Sequence, residues 1–511
     1  MSEQPEELGV PKQLTKLSVD FDRWYTDVIK LTEMADWSGV RGMMVIRPYG
    51  YAMWENIQRA FDDMIKESGH ENAYFPLLIP HEYFAKEAEH VEGFAPEVAW
   101  VQYAGPRPVL KPPTEWTEQD MLQAQEGWLN QPLVIRPTSE TIIGPVMKRY
   151  IQSYRDLPQL LNQWCNVLRW EMRTRLFLRT SEFLWQEGHT FHASHSEASE
   201  EVLAMLENYR SLAEDWLALP VVKGLKTESE KFAGADYTTS IEAMMRDGLA
   251  LQSGTSHNFG QNFSRAYEIE FTNRSNEREL AYTTSWGMST RMIGALVMAH
   301  GDDSGLIVPP RIAPIQVAIV PIYRDEESRL AVEAFLQPLI AELKGKVRFK
   351  VDWRDERPGN KYAHWEVRGV PLRVEVGSRD IEAGQVMVAD RLSREKTPVP
   401  VAGLTDRLVA MLDDFHARLY QRALDFRSEH TIRAHSKIQF KDFFETGNGF
   451  AWAAFCDDPK CEAEIKETVG VTSRNKPFEA NSPFLPGGEY GDRCIWCDQP
   501  ATAVAIFARS Y

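Results

Sequence analysis

Apolar residues recur at helical spacing at Phe21, Trp24, Tyr25 and Val28, which predicts an amphipathic helix from Phe21. A Gly-punctuated strand segment over 40–50 follows, then a second helix from about 51 to 66 carrying Trp54, Ile57, Phe61 and Ile65. Residues 73–80 read as a strand containing Pro76, which suits an edge, where a missing N–H is harmless. Residues 133–141 form a short strand breaking at Arg136-Pro137. Thr138 or Ser139 can cap the helix expected over 143–154, with Glu140 at its positive end.

Residues 169–190 read as two runs that can pair as an antiparallel hairpin, joined by 172–178 with Arg173 and Arg175. An acidic helix over 195–220 places Val202, Leu203, Leu206, Tyr209, Leu212 and Trp216 on one face. A small-residue loop, 227–239, precedes a strand bearing Ile241 and Met244, and 285–300 is a strand turning into an apolar helix. The proline-dense stretch 306–314 marks a domain boundary. Beyond it, strands at 316–321, 347–351, 372–376 and 385–390 alternate with helices at 326–343 and near 362–368, an α/β pattern. A long helix over 404–427 leads into the tail, whereas residues 1–18 show little periodicity.

Composition narrows the class. A chain of 511 residues has room for roughly two to four domains. Hydrophobic content of 43% and charged content of 26% are those of a globular protein. No apolar run reaches the roughly 18 residues of a membrane span, and the start, Met-Ser-Glu-Gln-Pro-Glu-Glu, lacks the features of a secretory signal. A cytoplasmic location is expected. The net charge of −17 argues against a general nucleic-acid binder, while leaving room for RNA recognition through local basic patches.

Chemistry enters at four places. Arg169 with Glu171, and Arg179 on the second run, can clamp an anion, since a guanidinium on a rigid strand makes bidentate bonds to phosphate or carboxylate. A cross-strand ion-pair ladder is the other reading. In 251–260, Gly254 allows close approach of a ligand, and Gln252, Thr255 and His257 offer neutral donors and acceptors suited to adenine, ribose and a small substrate. A purely structural role for His257 also fits. Arg291 stands where a helix begins, so its charge and the helix dipole face the same anion. Cys165 is isolated, whereas Cys456, Cys461, Cys494 and Cys497 form two close pairs. In a reducing compartment these suit a closed Cys₄ zinc site, with free buried thiols as the alternative.

The order of these strings carries a resemblance. Arg-x-Glu at 169–171, a basic loop, then Arg-Thr-x-Glu-Phe-Leu-Trp-Gln-Glu-Gly-His at 179–189 resembles motif 2 of the class II aminoacyl-tRNA synthetases. Residues 73–80 after their long helix resemble motif 1, the dimer-forming element, and 285–300 resemble motif 3. Arg-Pro-Thr-Ser-Glu at 136–140 and the string 227–239 resemble prolyl-tRNA synthetases. Residues 355–362 and 369–377 resemble the anticodon-binding domain shared by the prolyl, threonyl, histidyl and glycyl enzymes. The end, 506–511, resembles the archaeal and eukaryotic type, with Ala508 where that type usually has Gly. The bulky editing insertion of the bacterial type has no room, since about 100 residues separate His189 from Arg291.

The resemblance implies an α/β protein in three parts. These are a class II catalytic domain over 1–307 with an antiparallel sheet and helices, an α/β anticodon-binding domain over 308–404, and an α+β zinc-binding domain over 405–511. It implies ATP-dependent activation of L-proline to prolyl-adenylate, then transfer to the 3′ end of tRNA(Pro), by a homodimer. Arg169 and Arg291 would be catalytic. Thr138, Glu140, Arg169, Trp185, Glu187, His189 and His257 would hold proline. Arg169, Glu171, Arg179, Thr180, Gln252, Thr255, Ser289 and Arg291 would hold ATP, with Mg²⁺ bridging its phosphates. Cys456, Cys461, Cys494 and Cys497 would hold a structural Zn²⁺, and Tyr511 would reach toward the active site. Three rivals are set against it. A threonyl enzyme would need a metal-binding Cys/His set in the pocket, and Cys165 has no such partners. A non-activating paralogue would lack Arg169 or Arg291. A zinc-stabilised RNA-binding scaffold would show no proline-dependent exchange.

Overall fold

Asp20 accepts a hydrogen bond from the Arg23 amide at 2.9 Å and starts the helix Phe21–Leu31. Trp24, Tyr25, Val28 and Ile29 on that helix enter the largest hydrophobic core. The computed structural model describes residues 13–84, 98–104, 113–481 and 489–511, so the start of the weakly periodic terminus, to residue 12, lies outside the described residues. The second helix, Pro48–Glu67, begins earlier than its periodicity suggests, because proline is well placed in a first turn, where its missing N–H is not needed. The expected strand over 40–50 is therefore reduced to Met44–Ile46, paired with Ala35–Trp37.

The central sheet has eight strands in the order Lys476–Pro477, Val221–Leu225, Tyr237–Met244, Ala250–Asn258, Tyr282–Ser289, Glu182–His192, Gln159–Leu168 and Glu71–Asn72. Only the last pair is parallel. The helix His195–Ser211 packs on it, with Tyr209 stacked on Phe61 at 5.1 Å between ring centroids. Leu203 is exposed rather than inward, because the buried stripe runs through Ala198, Val202, Met205, Leu206 and Tyr209 and leaves position 203 beyond its edge.

Three further expectations are corrected. Pro76 precedes its strand, which is only Leu78–Pro80 and pairs with Trp128–Ile135. The next helix is Glu140–Tyr150, and neither expected hydroxyl caps it. Ser139 instead donates to Glu187 and Thr138 to Glu140, so both side chains are drawn away from the helix end. The hairpin strands end at Leu168 and resume at Glu182, which puts Arg169 and Arg179 in the connecting loop rather than on strands.

The second sheet runs Phe349–Val351, Val317–Pro321, Leu372–Val376, Gln385–Asp390 and Lys396–Pro400, the first three parallel and the last two antiparallel additions. Lys396–Pro400 escaped sequence reading because it is an edge strand with two prolines and only Val399 buried. After the helix Leu404–Glu429, a four-stranded sheet orders Thr431–Arg433, Phe450–Phe455, Ala503–Ala508 and Thr472–Ser473. Lys476–Pro477 then crosses to the central sheet, which ties the C-terminal segment to the strands described next. Among the described residues no helix is long and apolar enough to cross a membrane.

Candidate active site

The central strands open into a cleft of about 250 Å³. Side chains alternate along a strand, so Trp185, Glu187 and His189 share one face of Glu182–His192. Gly188, between them, pairs with Trp286, and a Cβ there would stand 2.0 Å from the indole. On Ala250–Asn258 the pairing skips Ser253, and this bulge brings Gln252 to the same cleft as Thr255 and His257.

One end of the cleft is acidic. Glu187 is buried and accepts from the Ser139 amide at 3.1 Å, Gln163 Nε2 at 2.9 Å and His189 Nε2 at 3.2 Å, and also from the Ser139 hydroxyl. Glu140 accepts from Thr138 Oγ1 and, at 3.0 Å, from Ser285 Oγ. Burial alone would raise the Glu187 carboxyl, but the bond and charge of His189, with Ser139 and Gln163, hold it below its ordinary value. Burial would depress His189, yet the charge of Glu140 and the bond to Glu187 leave it raised. The two carboxylates thus share the charges of His189 and of Arg169, which lines the same cleft. The ligand atoms of Glu140, Glu187 and His189 lie within 4.8 Å of one another, but a metal would require His189 to be neutral, against this pairing.

Two arginines line the same cleft. Arg169 donates from Nε to Pro137 O at 2.9 Å, and its guanidinium carbon lies 5.3 Å from the Trp185 ring centroid and 5.5 Å from that of Phe183. Arg291 opens the helix Arg291–His300 and donates to Leu178 O at 3.1 Å. Burial and then the charges of Arg169 and Arg179 push it down to about 10. Cations crowded at a positive helix end await an anion. His257 receives or gives a bond at Thr238 Oγ1, 2.9 Å away, and burial, then the charges of His189 and Lys226, pushes it down to about 3, so it is neutral near pH 7.

Thr138, Glu140, Arg169, Trp185, Glu187, Gln252, Thr255, His257, Ser289 and Arg291 all line this cleft. His189 lies beside Glu140 in a small adjoining cavity of about 20 Å³. Glu171 and Arg179 pair at 2.6 Å on the loop outside the cleft lining, and Thr180 turns its hydroxyl to Glu182 O at 2.7 Å. Sequence reading did not single out Phe183, Phe232, Ser285 or Lys226, which also line it. Phe183, Phe232 and Ser285 stood inside the quoted strings, whereas an isolated Lys226 gave no signal.

Far along the chain, the four tail cysteines converge. Cys461 and Cys494 sulfurs stand 3.7 Å apart, Cys456 and Cys497 sulfurs 3.6 Å, and all four lie within 4.8 Å of one another. These spacings exceed a disulfide and approach the edge of about 3.8 Å that a tetrahedron with Zn–S bonds of about 2.3 Å requires.

The comparisons agree with this architecture. The family description "tRNA synthetase class II core domain (G, H, P, S and T)" matches residues 125–300 and "Anticodon binding domain" matches 316–411. The chain is thus a class II aminoacyl-tRNA synthetase. "Prolyl-tRNA synthetase, C-terminal" matches 438–511. The proline–tRNA ligase of Roseiflexus sp. (strain RS-1) is 50% identical over 98% of this chain and 100% of its own length. That of Symbiobacterium thermophilum is 48% identical over 99% and 100%. A crystal structure of prolyl-tRNA synthetase from Cryptosporidium parvum, complexed with halofuginone and AMPPNP, is 39% identical with a TM-score of 0.88, covering 97% of this chain and 99% of that one. The chain belongs to the prolyl-tRNA synthetases, and its activity is that of a proline–tRNA ligase. Its substrates are proline, ATP and tRNA, and enzymes of this class use Mg²⁺.

Proposed function

We propose that the acidic end of the cleft takes the imino group of L-proline and the basic end takes ATP. The observation that carries this reading is that buried Glu140 and Glu187 line one cleft together with Arg169 and Arg291. A secondary ammonium brings two N–H donors and one positive charge, which suit a carboxylate acceptor. Glu140, oriented by Thr138, accepts from it, while Glu187 and His189 hold the pocket wall and Trp185 and His257 close it around the ring. Gln252, Thr255 and Ser289 bind the adenosine. Arg169 neutralises the proline carboxylate and the α-phosphate, while Arg179 and Arg291 neutralise the outer phosphates. Glu171 and Thr180 support the loop that carries Arg169 and Arg179. When bound, Mg²⁺ supplies further charge neutralisation at the phosphates, with Glu171 as the carboxylate on that side.

The proline carboxylate oxygen attacks the α-phosphorus, and pyrophosphate leaves. The terminal ribose hydroxyl of tRNA(Pro) then attacks the proline carbonyl carbon, and AMP leaves. Neither step needs a covalent enzyme intermediate, so rate comes from positioning and fixed charge.

Cys456, Cys461, Cys494 and Cys497 fit a structural Zn²⁺ with no open position, in keeping with the sulfur spacings. We assign the chain to the archaeal and eukaryotic type with a C-terminal zinc-binding domain. The likeness along nearly the whole length to the Cryptosporidium enzyme supports this. The division is 1–307 catalytic, 308–404 anticodon-binding and 405–511 zinc-binding. Exposed Leu78, Trp100 and Trp128 on the small sheet support homodimer formation there. The enzyme works in the cytoplasm. Proline-dependent pyrophosphate–ATP exchange, with alanine, cysteine and threonine as competitors, tests the reading. Exchange driven by proline well above threonine is expected, and equal exchange with threonine would contradict it.

A further inference from the structure

Behind the cleft wall lies a buried ion cluster that the steps above do not use. Glu242 is fully buried and accepts from Lys226 Nζ at 2.8 Å and from Nε and Nη2 of Arg474, both at 3.1 Å. Lys226 Nζ also donates to Arg474 O at 2.6 Å. Arg474 belongs to the C-terminal segment, just before the strand Lys476–Pro477, which pairs with Val221–Leu225 immediately ahead of Lys226. The C-terminal segment thus inserts a guanidinium behind an active-site strand.

Two cations here meet Glu242, and the charge of Glu230, which also lines the cleft, reaches Lys226 as well. Of Lys226, Glu242 and Arg474 only Lys226 lines the cleft. An ammonium has three N–H groups, and among the described residues two of these are taken, by Glu242 and by the backbone of Arg474. Burial pushes the Lys226 ammonium down from its ordinary value, Glu242 opposes this and Arg474 adds to it. The remaining N–H of Lys226 is left for a ligand in the cleft it lines, and both proline carboxylate and ATP bring negative charge there.

We propose that Lys226 is a fourth substrate-facing cation of the activation reaction, beside Arg169, Arg179 and Arg291, and that Arg474 is a positioning residue that fixes it through Glu242. This rests on reading the cleft as the proline-activating site. A link of this kind makes the C-terminal segment part of the active-site wall.

Arg474→Met and Lys226→Met are the informative variants, because each leaves one cation against Glu242, a balanced pair that folding tolerates. Each should melt cooperatively and lower kcat of proline-dependent exchange by roughly 10- to 100-fold. Arg474→Lys should recover most of the rate. The double variant, made together with Glu242→Gln so that no buried carboxylate is left without a cation, should lose no more than the worse single, since Arg474 acts through Lys226. Wild-type kcat in either single variant, losses that multiply in the double, or a failure of Arg474→Met to fold would overturn the proposal. Arg169→Ala, assayed beside them, separates the two readings. If it keeps full exchange, the assignment of the cleft fails. If it is inactive while Lys226→Met is not, only this inference fails.

Discussion

The guanidinium carbon of Arg175 lies 5.0 Å from the ring centroid of Tyr511, so the last residue of the chain rests on the loop between the two hairpin strands. Tyr25 lies on the same guanidinium at 4.6 Å, and Asp22 pairs with it at 2.9 Å. The Tyr511 amide donates to Ala250 O at 3.2 Å and its hydroxyl to Asp247. Cation–ring contacts of this kind contribute about 0.5–2 kcal/mol. Deleting Tyr511 should therefore loosen the loop that bears Arg169 and lower activity, while bound zinc stays in place. Exchange assays with metal analysis check this, and unchanged activity or lost zinc would contradict it.

Thr138→Ala and Glu140→Ala should raise KM for proline and leave KM for ATP near its original value. Each charged hydrogen bond lost from a buried ammonium costs roughly 1.5–3 kcal/mol. Thr138 acts by holding Glu140, so its loss should be the smaller. Collapse of ATP binding with intact proline binding would reverse the assignment of the two ends.

The pair of Glu187 and His189 predicts a pH window. Glu187 is held below 4.5, so its stabilisation is complete above pH 4.5 and is lost as pH falls through the depressed value. His189 is raised above 6.5, so its stabilisation is complete below pH 6.5 and is lost as pH rises through the raised value. The difference in melting temperature between the wild type and His189→Gln should therefore be largest between pH 4.5 and 6.5. A difference that does not vary with pH would rule this pairing out.

Cys494→Ser, or chelation, should loosen the C-terminal segment first and lower activity second. Cys461 and Cys494 sit in one small core with Ile465, Trp496 and Phe507, so the ligands and the packing fall together. Calorimetry with metal analysis should show an early transition in the stripped protein. Zinc-free pure protein, or unchanged melting and activity in Cys494→Ser, would refute a structural metal here.

How far the sequence could be read follows from distance along the chain. Arg169, Glu187 and Arg291 stood in strings whose local order is distinctive, and Thr138 and Glu140 lay within one five-residue run. The cap assigned to Thr138 and Ser139 failed because both hydroxyls answer to carboxylates, one of them on a strand 48 residues away. Glu242 and Arg474 are separated by 232 residues, and no local pattern announces that meeting. Leu203 shows the same limit for packing, since it lies beyond the edge of the buried stripe, and the edge strand Lys396–Pro400 buries too few positions to announce itself.

The most direct test of the account is proline-dependent pyrophosphate–ATP exchange by Arg169→Ala. Its side chain faces the cleft and serves an anion absent from the free protein, so the variant should fold, losing only the bond to Pro137 O and the contacts with Phe183 and Trp185. Loss of this charge contact in the transition state should cost about 3–4 kcal/mol, a fall of roughly 10²- to 10³-fold in rate. Near-normal exchange by a folded Arg169→Ala would contradict the account.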